Sequence, residues 1–141
     1  MAFNGYLIRL IAVNGTKTAL PVKGYIRYST YKCERNTMDL DPTRDLTAVL
    51  HRNPLGHTAY KVEFELTMMT NIQFESFMSI IRSHYRSSLA KDVYMEYYEP
   101  ESNSYRTGHF YVPDISTPIR NIDFNNNIIN YNQIRIAFIE Y

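Results

Sequence analysis

One stretch, residues 56–114, constrains the fold most, because its pattern predicts a strand, a helix, a strand, a turn and a strand in succession. Residues 61–68 alternate polar and apolar side chains without a break, which is typical of a strand with one buried face. Thr70 and Gln73 have the spacing of a capping box, so a helix should begin there. Apolar residues then share one helical face over about residues 71–85: Phe74, Phe77, Met78 and Ile81. We expect this face to pack on a sheet.

Strand and turn signals flank this helix. Residues 89–98 and 106–112 are β-prone runs on either side of a turn-like segment at 100–104, so they predict a hairpin. Near the start of the chain, Asn14-Gly15 tolerates positive φ at both positions and predicts a two-residue type I′ turn between the first two strands. Pro21 interrupts the returning run, so the second strand should be short or lie at an edge.

Further strands are predicted on both sides of this unit. Residues 25–33 alternate, which indicates a strand, although neither face is cleanly apolar. Residues 119–124 and 128–141 predict a second hairpin around three consecutive asparagines. The final strand should turn Ile134, Ile136 and Phe138 toward the core. Its other face, which becomes apolar toward the tip, carries Gln133, Arg135, Ala137, Ile139 and Tyr141 and should be covered by this chain or by a neighbour.

Residues 34–56 are the least regular part of the sequence, with many turn-forming residues around a short apolar run at 46–50. A connection of this length is uncommon in a compact domain unless it has a task. Two interpretations stay open: an irregular meander with a short strand, or an arm that becomes ordered on a neighbouring subunit. In the second interpretation the apolar anchors and charged partners are Val49, Leu50, Leu55, Arg44 and Arg52.

Composition indicates one soluble domain over residues 1–141 and weakens the case for a nucleic-acid-binding protein. The net charge is +1, whereas a dedicated DNA- or RNA-binding domain usually carries a basic excess. The chain has 13 tyrosines and no tryptophan, a bias that either strand propensity or an interface can explain. Cys33 is the single cysteine, which excludes an internal disulfide. We expect no secretory signal and no membrane insertion, since no segment approaches the apolar length of a membrane span.

The search for catalytic chemistry finds no nucleophile elbow, phosphate-binding loop, dinucleotide fingerprint or zinc-protease motif. Glu63 and Glu65 share a strand face with Lys61, which favours a solvated or channel-lining face over an acid-base pair. Arg82 and Arg86 are interpreted as cations at the helix end. The histidines, His51, His57, His84 and His109, lack convergent partners and are predicted to lie at the surface or at edges. The sequence therefore predicts no enzyme, no cofactor and no metal.

Several stretches, taken in order, carry a family resemblance over nearly the whole chain. The N-terminal stretch reads Met1-Ala2-Phe3-Asn4-Gly5-Tyr6-Leu7-Ile8, and the central ones read Arg44-Asp45, Val49-Leu50-His51-Arg52-Asn53, His57 and Lys61-Val62-Glu63-Phe64. The later ones read Tyr105-Arg106-Thr107-Gly108, Phe110-Tyr111-Val112-Pro113-Asp114 and Ile134-Arg135-Ile136-Ala137-Phe138-Ile139-Glu140-Tyr141. In these features the chain resembles a family of small proteins encoded by tailed phages and prophages of Firmicutes beside tail and baseplate genes.

The resemblance implies a mainly β fold with one α-helix, an antiparallel β-sandwich or barrel similar to phage tail-tube and distal-tail proteins. In that fold a sheet lines a ring, the helix packs outside it, and a long loop or hairpin reaches the next subunit. Residues 34–56 match that arm by position and length, and the face with Lys61, Glu63 and Glu65 would line the channel. The near-neutral charge departs from the acidic lumen typical of such tubes.

The function implied by the resemblance is a non-enzymatic structural protein of the virion, made in the bacterial cytoplasm and built into a ring at the tail tip or baseplate. Its partners would be copies of itself and other tail proteins, with DNA at most passing through the lumen. Two alternatives remain: a tail-completion or head-tail joining ring, and a monomeric binding module that inhibits a host protein. Ring proteins should oligomerise, whereas an inhibitor should be monomeric.

Overall fold

The computed structural model describes residues 3–39, 43–44, 50–51 and 54–141. The described elements, in chain order, are β1 (Ile8–Ile11), β2 (Lys17–Ala19), a 3₁₀ helix (Tyr28–Thr30), β3 (Lys32–Asp39), β4 (Thr43–Arg44), β5 (Leu50–His51), β6 (Pro54–Glu65), α1 (Asn71–Ser83), β7 (Asp92–Glu99), β8 (Ser104–Tyr111), β9 (Ile119–Asp123), β10 (Ile128–Tyr131) and β11 (Arg135–Glu140). The predicted mainly β fold with one helix is confirmed.

Seven of these strands form one antiparallel sheet in the order β2-β1-β7-β8-β11-β6-β3. Two further antiparallel pairs stand apart from it, β9 with β10 and β4 with β5. Helix α1 packs on one face of the sheet, where Phe77 meets Phe64 with 6.3 Å between ring centroids. The β9–β10 hairpin flanks the helix, because Thr70 forms a bridge with Asn130 and Phe74 contacts the Tyr131 ring. One layer is the seven-stranded sheet, and the other is α1 with the β9–β10 hairpin beside it. This arrangement is consistent with the predicted sandwich with a helix.

The core lies between α1 and the sheet, and it follows from strand register. Val62 lies opposite Phe138 and Phe64 lies opposite Ile136, while Val93 lies opposite Phe110. Alternation then directs one set of apolar residues in each strand toward the helix. Side chains that are at most 1% exposed include Ile8, Leu10, Val62, Phe64, Met95, Tyr97, Phe110, Ile136 and Phe138. The predicted inward positions of the last strand are confirmed.

Helix α1 begins as its sequence predicts. Thr70 Oγ1 accepts a hydrogen bond from Gln73 N, and Gln73 Oε1 accepts one from Thr70 N, so both parts of the capping box are present. The four predicted apolar positions are the buried residues of the helix. The helix ends at Ser83, just short of the predicted end, and the cap residue His84 places its Nδ1 2.7 Å from Ile80 O.

The turn between β1 and β2 is not the predicted type I′ turn. Gly15 has φ of 88°, but Asn14 is not among the residues with positive φ. Gly15 N donates to Ala12 O and Ala12 N donates to Thr16 O, which fits a type I turn followed by a left-handed bulge residue. Asn14 contributes through its side chain, whose Oδ1 accepts from Thr16 N. Strand β2 is short and lies at the sheet edge, as Pro21 predicts.

The predicted strand over residues 25–33 is wrong for most of its length. Ile26 forms only an isolated bridge with Leu66, and a 3₁₀ helix follows at Tyr28–Thr30. Thr30 explains the break, because its hydroxyl donates to Arg27 O and accepts from Glu65 N. The Thr30 hydroxyl thus takes the place of a backbone carbonyl as the acceptor for Glu65 N. Threonine side chains commonly replace regular backbone pairing in this way. Strand β3 starts only at Lys32.

Two other boundaries differ from the prediction. The flanks of the region 34–56 are regular rather than irregular, because β3 continues to Asp39 and β6 begins at Pro54. The run 46–49 lies outside the described residues. The predicted strand over residues 128–141 is divided into β10 and β11, because Asn132 N bonds to Pro118 O while Leu66 N bonds to Ile134 O. The chain thus leaves one hairpin and enters the main sheet between β8 and β6.

Candidate interaction surface

The sheet face opposite α1, here called the helix-free face, carries aromatic and charged side chains. Alternation from the buried residues of β7 and β8 places Tyr94, Glu96, Thr107 and His109 on it. Its members pair across strands: Tyr94 lies opposite His109, and Glu96 lies opposite both Arg9 and Thr107. The predicted hairpin is present, but the predicted turn at 100–104 would have placed Tyr94 opposite Phe110, and the shorter observed turn brings Tyr94 opposite His109 instead.

An aromatic stack runs across the helix-free face from β7 to the C-terminus. The Arg86 guanidinium lies 4.6 Å from the Tyr94 ring centroid, and the Tyr94 ring stacks on His109 at 4.3 Å. The other side of His109 stacks on Tyr141 at 4.4 Å, and Tyr141 also contacts Tyr111. Tyr94 and Tyr141 keep 39% and 55% of their surface exposed. This combination of rigid rings with open surface is typical of an interface residue set.

His109 and Asp92 form a hydrogen-bonded pair within the stack. His109 Nε2 lies 2.7 Å from Asp92 Oδ2, and Asp92 Oδ1 accepts from Ser87 N. The hydrogen bond with His109 is the main reason that the pKa of Asp92 lies below its ordinary value. Within the described residues, no serine, threonine or cysteine side chain hydrogen bonds to His109. The pair therefore connects the segment after α1 to β7 and β8.

A second cluster surrounds Glu96 on the same face. The carboxylate accepts from Tyr6 Oη at 2.8 Å, from Arg9 Nε at 2.9 Å and from Lys17 Nζ at 3.3 Å. Burial acts to raise the pKa of Glu96, but these hydrogen bonds outweigh it and hold the pKa below its ordinary value. Arg9 lies over the Tyr6 ring, which stacks on Tyr105 at 4.6 Å. The cluster joins β1, β2, β7 and β8.

The predicted charged face of β6 is also part of the helix-free face. Glu63 is only 9% exposed, and its Oε2 accepts from Arg135 Nε at 2.6 Å, with Lys61 Nζ at 3.8 Å. Glu65 lies 3.5 Å from Arg27 Nη1. Each carboxylate therefore has a cationic partner, and the face is close to charge-balanced. Such neutralised carboxylates are unsuited to act as a pair of catalytic acids.

One polar cluster that the sequence did not predict lies on the opposite face of the sheet, the face on which α1 packs. Glu99 is 4% exposed, and its Oε1 accepts from Ser102 Oγ at 2.6 Å and from Arg106 Nε at 3.0 Å. Its Oε2 has no hydrogen-bond partner among the described residues. Burial acts to raise the pKa of Glu99, yet hydrogen bonds from Ser102, Tyr60 and Arg106 bring it below the ordinary value. Ser102 and Arg106 belong to the same hairpin as Glu99, and only Tyr60 is brought to the cluster from a distant strand.

Cys33 is half-buried beside this cluster. Burial is the main cause that raises the pKa of its thiol to about 12, with the Glu99 carboxylate adding to it. A thiol with so high a pKa is protonated at neutral pH and is a poor nucleophile. Cys33 is thus a protonated thiol within β3.

The predicted interface residues fall in two places. Ile139 is partly buried in β11 opposite Lys61 and Tyr111, and Tyr141 belongs to the aromatic stack. Arg44 and Leu50 pair across β4 and β5, and Leu55 lies in β6. Val49 and Arg52 lie outside the described residues. The structure therefore brings Ile139 and Tyr141 together at one end of the helix-free face, and Arg44 with Leu50 in the arm.

The arm is based on a two-stranded ribbon, defined as residues 35–39 of β3 with residues 54–60 of β6. Strand β11 pairs with β6 only as far as Lys61, whereas β3 stays paired with β6 out to Asp39 and Pro54. Seven residues of β6 therefore continue past their last β11 partner, which corresponds to about 20 Å of strand. Strand β3 has eight residues and lies at one edge of the sheet. The ribbon therefore extends that edge beyond the sheet.

Among the described residues no helix has the length and apolarity to cross a membrane. The same residues contain no group of three or more histidine, cysteine, aspartate or glutamate side chains placed to hold a metal ion.

These features define a class: an antiparallel, mainly β protein with one packed helix, an exposed aromatic face and a ribbon that extends one edge strand. The chain belongs to DUF6711, a family of unknown function whose model matches residues 1–141. No curated protein matches the sequence.

Proposed function

We propose that this protein is a non-enzymatic structural subunit of a phage tail, which forms or joins a ring at the tail tip or baseplate. The observation that carries the proposal is the ribbon, because it extends an edge strand whose backbone groups can pair with a neighbouring subunit. The resemblance of the sequence to proteins encoded beside phage tail genes supplies the biological setting.

The two edges of the sheet differ in a way that supports directional pairing. Strand β2 has three residues, all exposed, whereas β3 has eight and continues into the ribbon. Natural sheets limit unwanted association by keeping edge strands short. A long edge at one side and a short edge at the other make the two sides of each subunit different, and a ring is built from heterologous contacts between two different surfaces.

In this proposal the helix-free face lines the ring and α1 packs on its outside. The pairing of Glu63 with Arg135 and of Glu65 with Arg27 leaves this face near neutrality. DNA can then pass through the lumen without the phosphate contacts that would hold it. The exposed rings of Tyr94 and Tyr141 would supply contacts with an adjoining ring of another tail protein.

The proposal is tested by light scattering over a concentration series, with the wild type and a variant in which residues 37–58 are replaced by Asn-Gly. This replacement removes most of the ribbon and closes the hairpin on the Asn36 and Ala59 pair. We expect the wild type to grow from the 16.6 kDa monomer to a discrete multiple, and the variant to stay monomeric. Circular dichroism should show that the variant keeps its sheet.

A matched control replaces only residues 40–53 by a Gly-Ser linker of equal length, which keeps both ribbon strands. We expect this control to associate like the wild type, because the pairing groups lie in the strands. Association that persists in the 37–58 variant would contradict a role of the ribbon. A wild type that is monomeric at all concentrations, and absent from purified virions, would contradict the structural function itself.

A further inference from the structure

An apolar groove of about 1020 Å³ opens on the surface between the N-terminal segment, the chain after β2 and the β7–β8 turn. Leu20, which is 1% exposed, lies at its base, and Ile80 of α1 contributes to its wall. Phe3 and Tyr28 stand at its rim with 50% and 66% of their surface exposed. A groove of this volume accommodates several apolar side chains. Among the described residues that line it, Lys23 alone carries a charge.

A complementary apolar projection lies at the tip of the β9–β10 hairpin. Phe124 directly follows β9 and is 80% exposed, and Ile119 and Ile122 on the same hairpin are 54% and 42% exposed. Phe124, at the hairpin tip, buries little of its surface within its own fold. The exposure of these three side chains is typical of residues that are covered by a partner.

The turn that carries Phe124 is held in one conformation. Asp123 Oδ1 accepts from Asn125 N at 3.0 Å and from Asn126 N at 3.3 Å, while Oδ2 accepts from Asn126 Nδ2 at 2.9 Å. Asn127 closes the turn with φ of 54°, a left-handed conformation that asparagine tolerates. Because the turn is already ordered, inserting Phe124 into a partner costs little conformational entropy.

Charge is also complementary between the two surfaces. The hydrogen bonds from Asn126 are the main reason that the pKa of Asp123 lies below its ordinary value, so this carboxylate beside Phe124 stays ionised. Lys23 forms no ion pair with any other described residue. A Phe124 side chain in the groove would bring the Asp123 carboxylate and the Lys23 ammonium group to the same rim. Their attraction would then favour this orientation of the two molecules.

Phe124 cannot fill the groove of its own chain. The hairpin is attached at the start of α1, where Asn71 Oδ1 accepts from Ile129 N. The groove meets α1 at Ile80, which lies about 14 Å farther along the helix axis. Phe124 is 80% exposed and is not among the residues that line the groove, so its insertion into this groove would join two molecules.

We propose that Phe124 of one copy inserts into the groove of the next copy, with Asp123 beside Lys23. The contact joins two different surfaces and is therefore heterologous, which generates a ring when the rotation closes and a filament when it does not. This inference rests on the proposed structural function and names a second contact of the same assembly, separate from the ribbon.

The test compares the dissociation constant of self-association, measured by sedimentation velocity, in three single variants. Phe124→Ser should raise it by at least about 30-fold, as expected for removal of an aromatic side chain from the centre of an interface. Lys23→Glu should raise it by about 2- to 5-fold and make it rise as salt is lowered. Leu89→Ser is the matched control, since Leu89 is 94% exposed in a different loop, and it should leave the constant unchanged.

A mixing experiment identifies the partner surface. Pro21→Arg places a bulky cation among the residues that line the groove and leaves Phe124 intact. At a concentration between the wild-type dissociation constant and the raised constants of the variants, neither Pro21→Arg nor Phe124→Ser should assemble alone, whereas an equimolar mixture should give a dimer that grows no further at that concentration. Each such dimer uses the intact Phe124 of one variant and the intact groove of the other.

The outcomes separate this inference from the proposed function. Wild-type association that survives Phe124→Ser, but is lost with the ribbon, would overturn the Phe124 contact and leave the structural function standing. Equal losses in Phe124→Ser and Leu89→Ser would also overturn it, because the effect would then not be specific to the hairpin tip. A wild type that never self-associates would overturn the Phe124 contact, and its absence from purified virions as well would overturn the structural function.

Discussion

At the scale of single residues, Gly108 shows how closely the sheet face on the α1 side is packed. It lies within β8, where a glycine normally weakens a strand. A Cβ atom at this position would lie 2.5 Å from Glu140 Oε2 and 2.8 Å from Phe110 Cε1. Glu140 is held there because its Oε1 accepts from Tyr60 N, at the point where β6 leaves β11. The glycine therefore makes room for the side chain that satisfies the first ribbon amide.

Glu96 should make stability depend on pH. Its folded-state pKa lies below the ordinary value of 4.5, so its ionised form stabilises the fold above that pH, and the contribution is lost as pH falls through the folded-state pKa. Glu96→Gln should lower the free energy of unfolding by about 1–3 kcal/mol near neutral pH, because it removes the charge from bonds to Arg9 and Lys17. The difference should shrink as pH falls below about 4. Urea denaturation of the wild type and of Glu96→Gln at several pH values measures this difference in the free energy of unfolding.

The control for this prediction is Glu75→Gln. The Glu75 side chain is 70% exposed and lies 3.3 Å from Arg82, so its loss should cost less than about 0.5 kcal/mol at every pH. A cost for Glu96→Gln that stays constant from neutral to acid pH would show that shape, not charge, accounts for the contribution of Glu96.

At the scale of elements, the N-terminus of α1 offers a direct test of the capping box. Thr70→Ala removes the hydroxyl that accepts from Gln73 N, and it should lower the free energy of unfolding by about 1 kcal/mol. Ser76→Ala is the control, because Ser76 is exposed in the middle of the same helix and alanine has the higher helix propensity. Chemical denaturation should show a loss only for Thr70→Ala. Equal effects of the two changes would contradict the cap.

The elements that the sequence predicted are those whose signals are local. The capping box and the spacing from Phe74 to Ile81 lie within one helix, and the β7–β8 hairpin needs only two adjacent runs and a turn. Inward positions such as Ile136 follow from alternation alone. A short-range pattern is enough wherever the partners are neighbours in sequence.

The elements that the sequence missed depend on distant partners. The strand predicted over residues 25–33 begins only at Lys32, because the Thr30 hydroxyl accepts a hydrogen bond from Glu65 N. No local pattern indicates this contact. The break between β10 and β11 follows from Asn132 bonding to Pro118 while Ile134 pairs with Leu66. Likewise, the stack of His109 on Tyr141 exists only because β11 is inserted beside β8. Their residues alone carried no signal of contact.

At the scale of the whole molecule, the strand order distinguishes the strands that are paired on both sides from the ribbon. The central strands β7, β8 and β11 have a partner on each side, and so does β6 at residues 61–63. The ribbon has only the β3–β6 ladder, and a two-stranded hairpin is marginally stable alone in water. The ribbon is therefore the part of the described fold that gains most from a further strand.

Hydrogen exchange should reveal this difference and its relation to assembly. In dilute protein, amides of residues 36–39 should exchange at least about tenfold faster than those of β11, because less pairing protects them. Above the association midpoint, protection of residues 36–39 should rise at least about tenfold while β11 stays unchanged, since a neighbouring strand then completes the free edge. Exchange followed by mass spectrometry at both concentrations measures the two quantities, with the variant lacking residues 37–58 as the reference for the sheet. Protection that rises instead only around Phe124 and Lys23 would show that copies meet through the groove without pairing their edges.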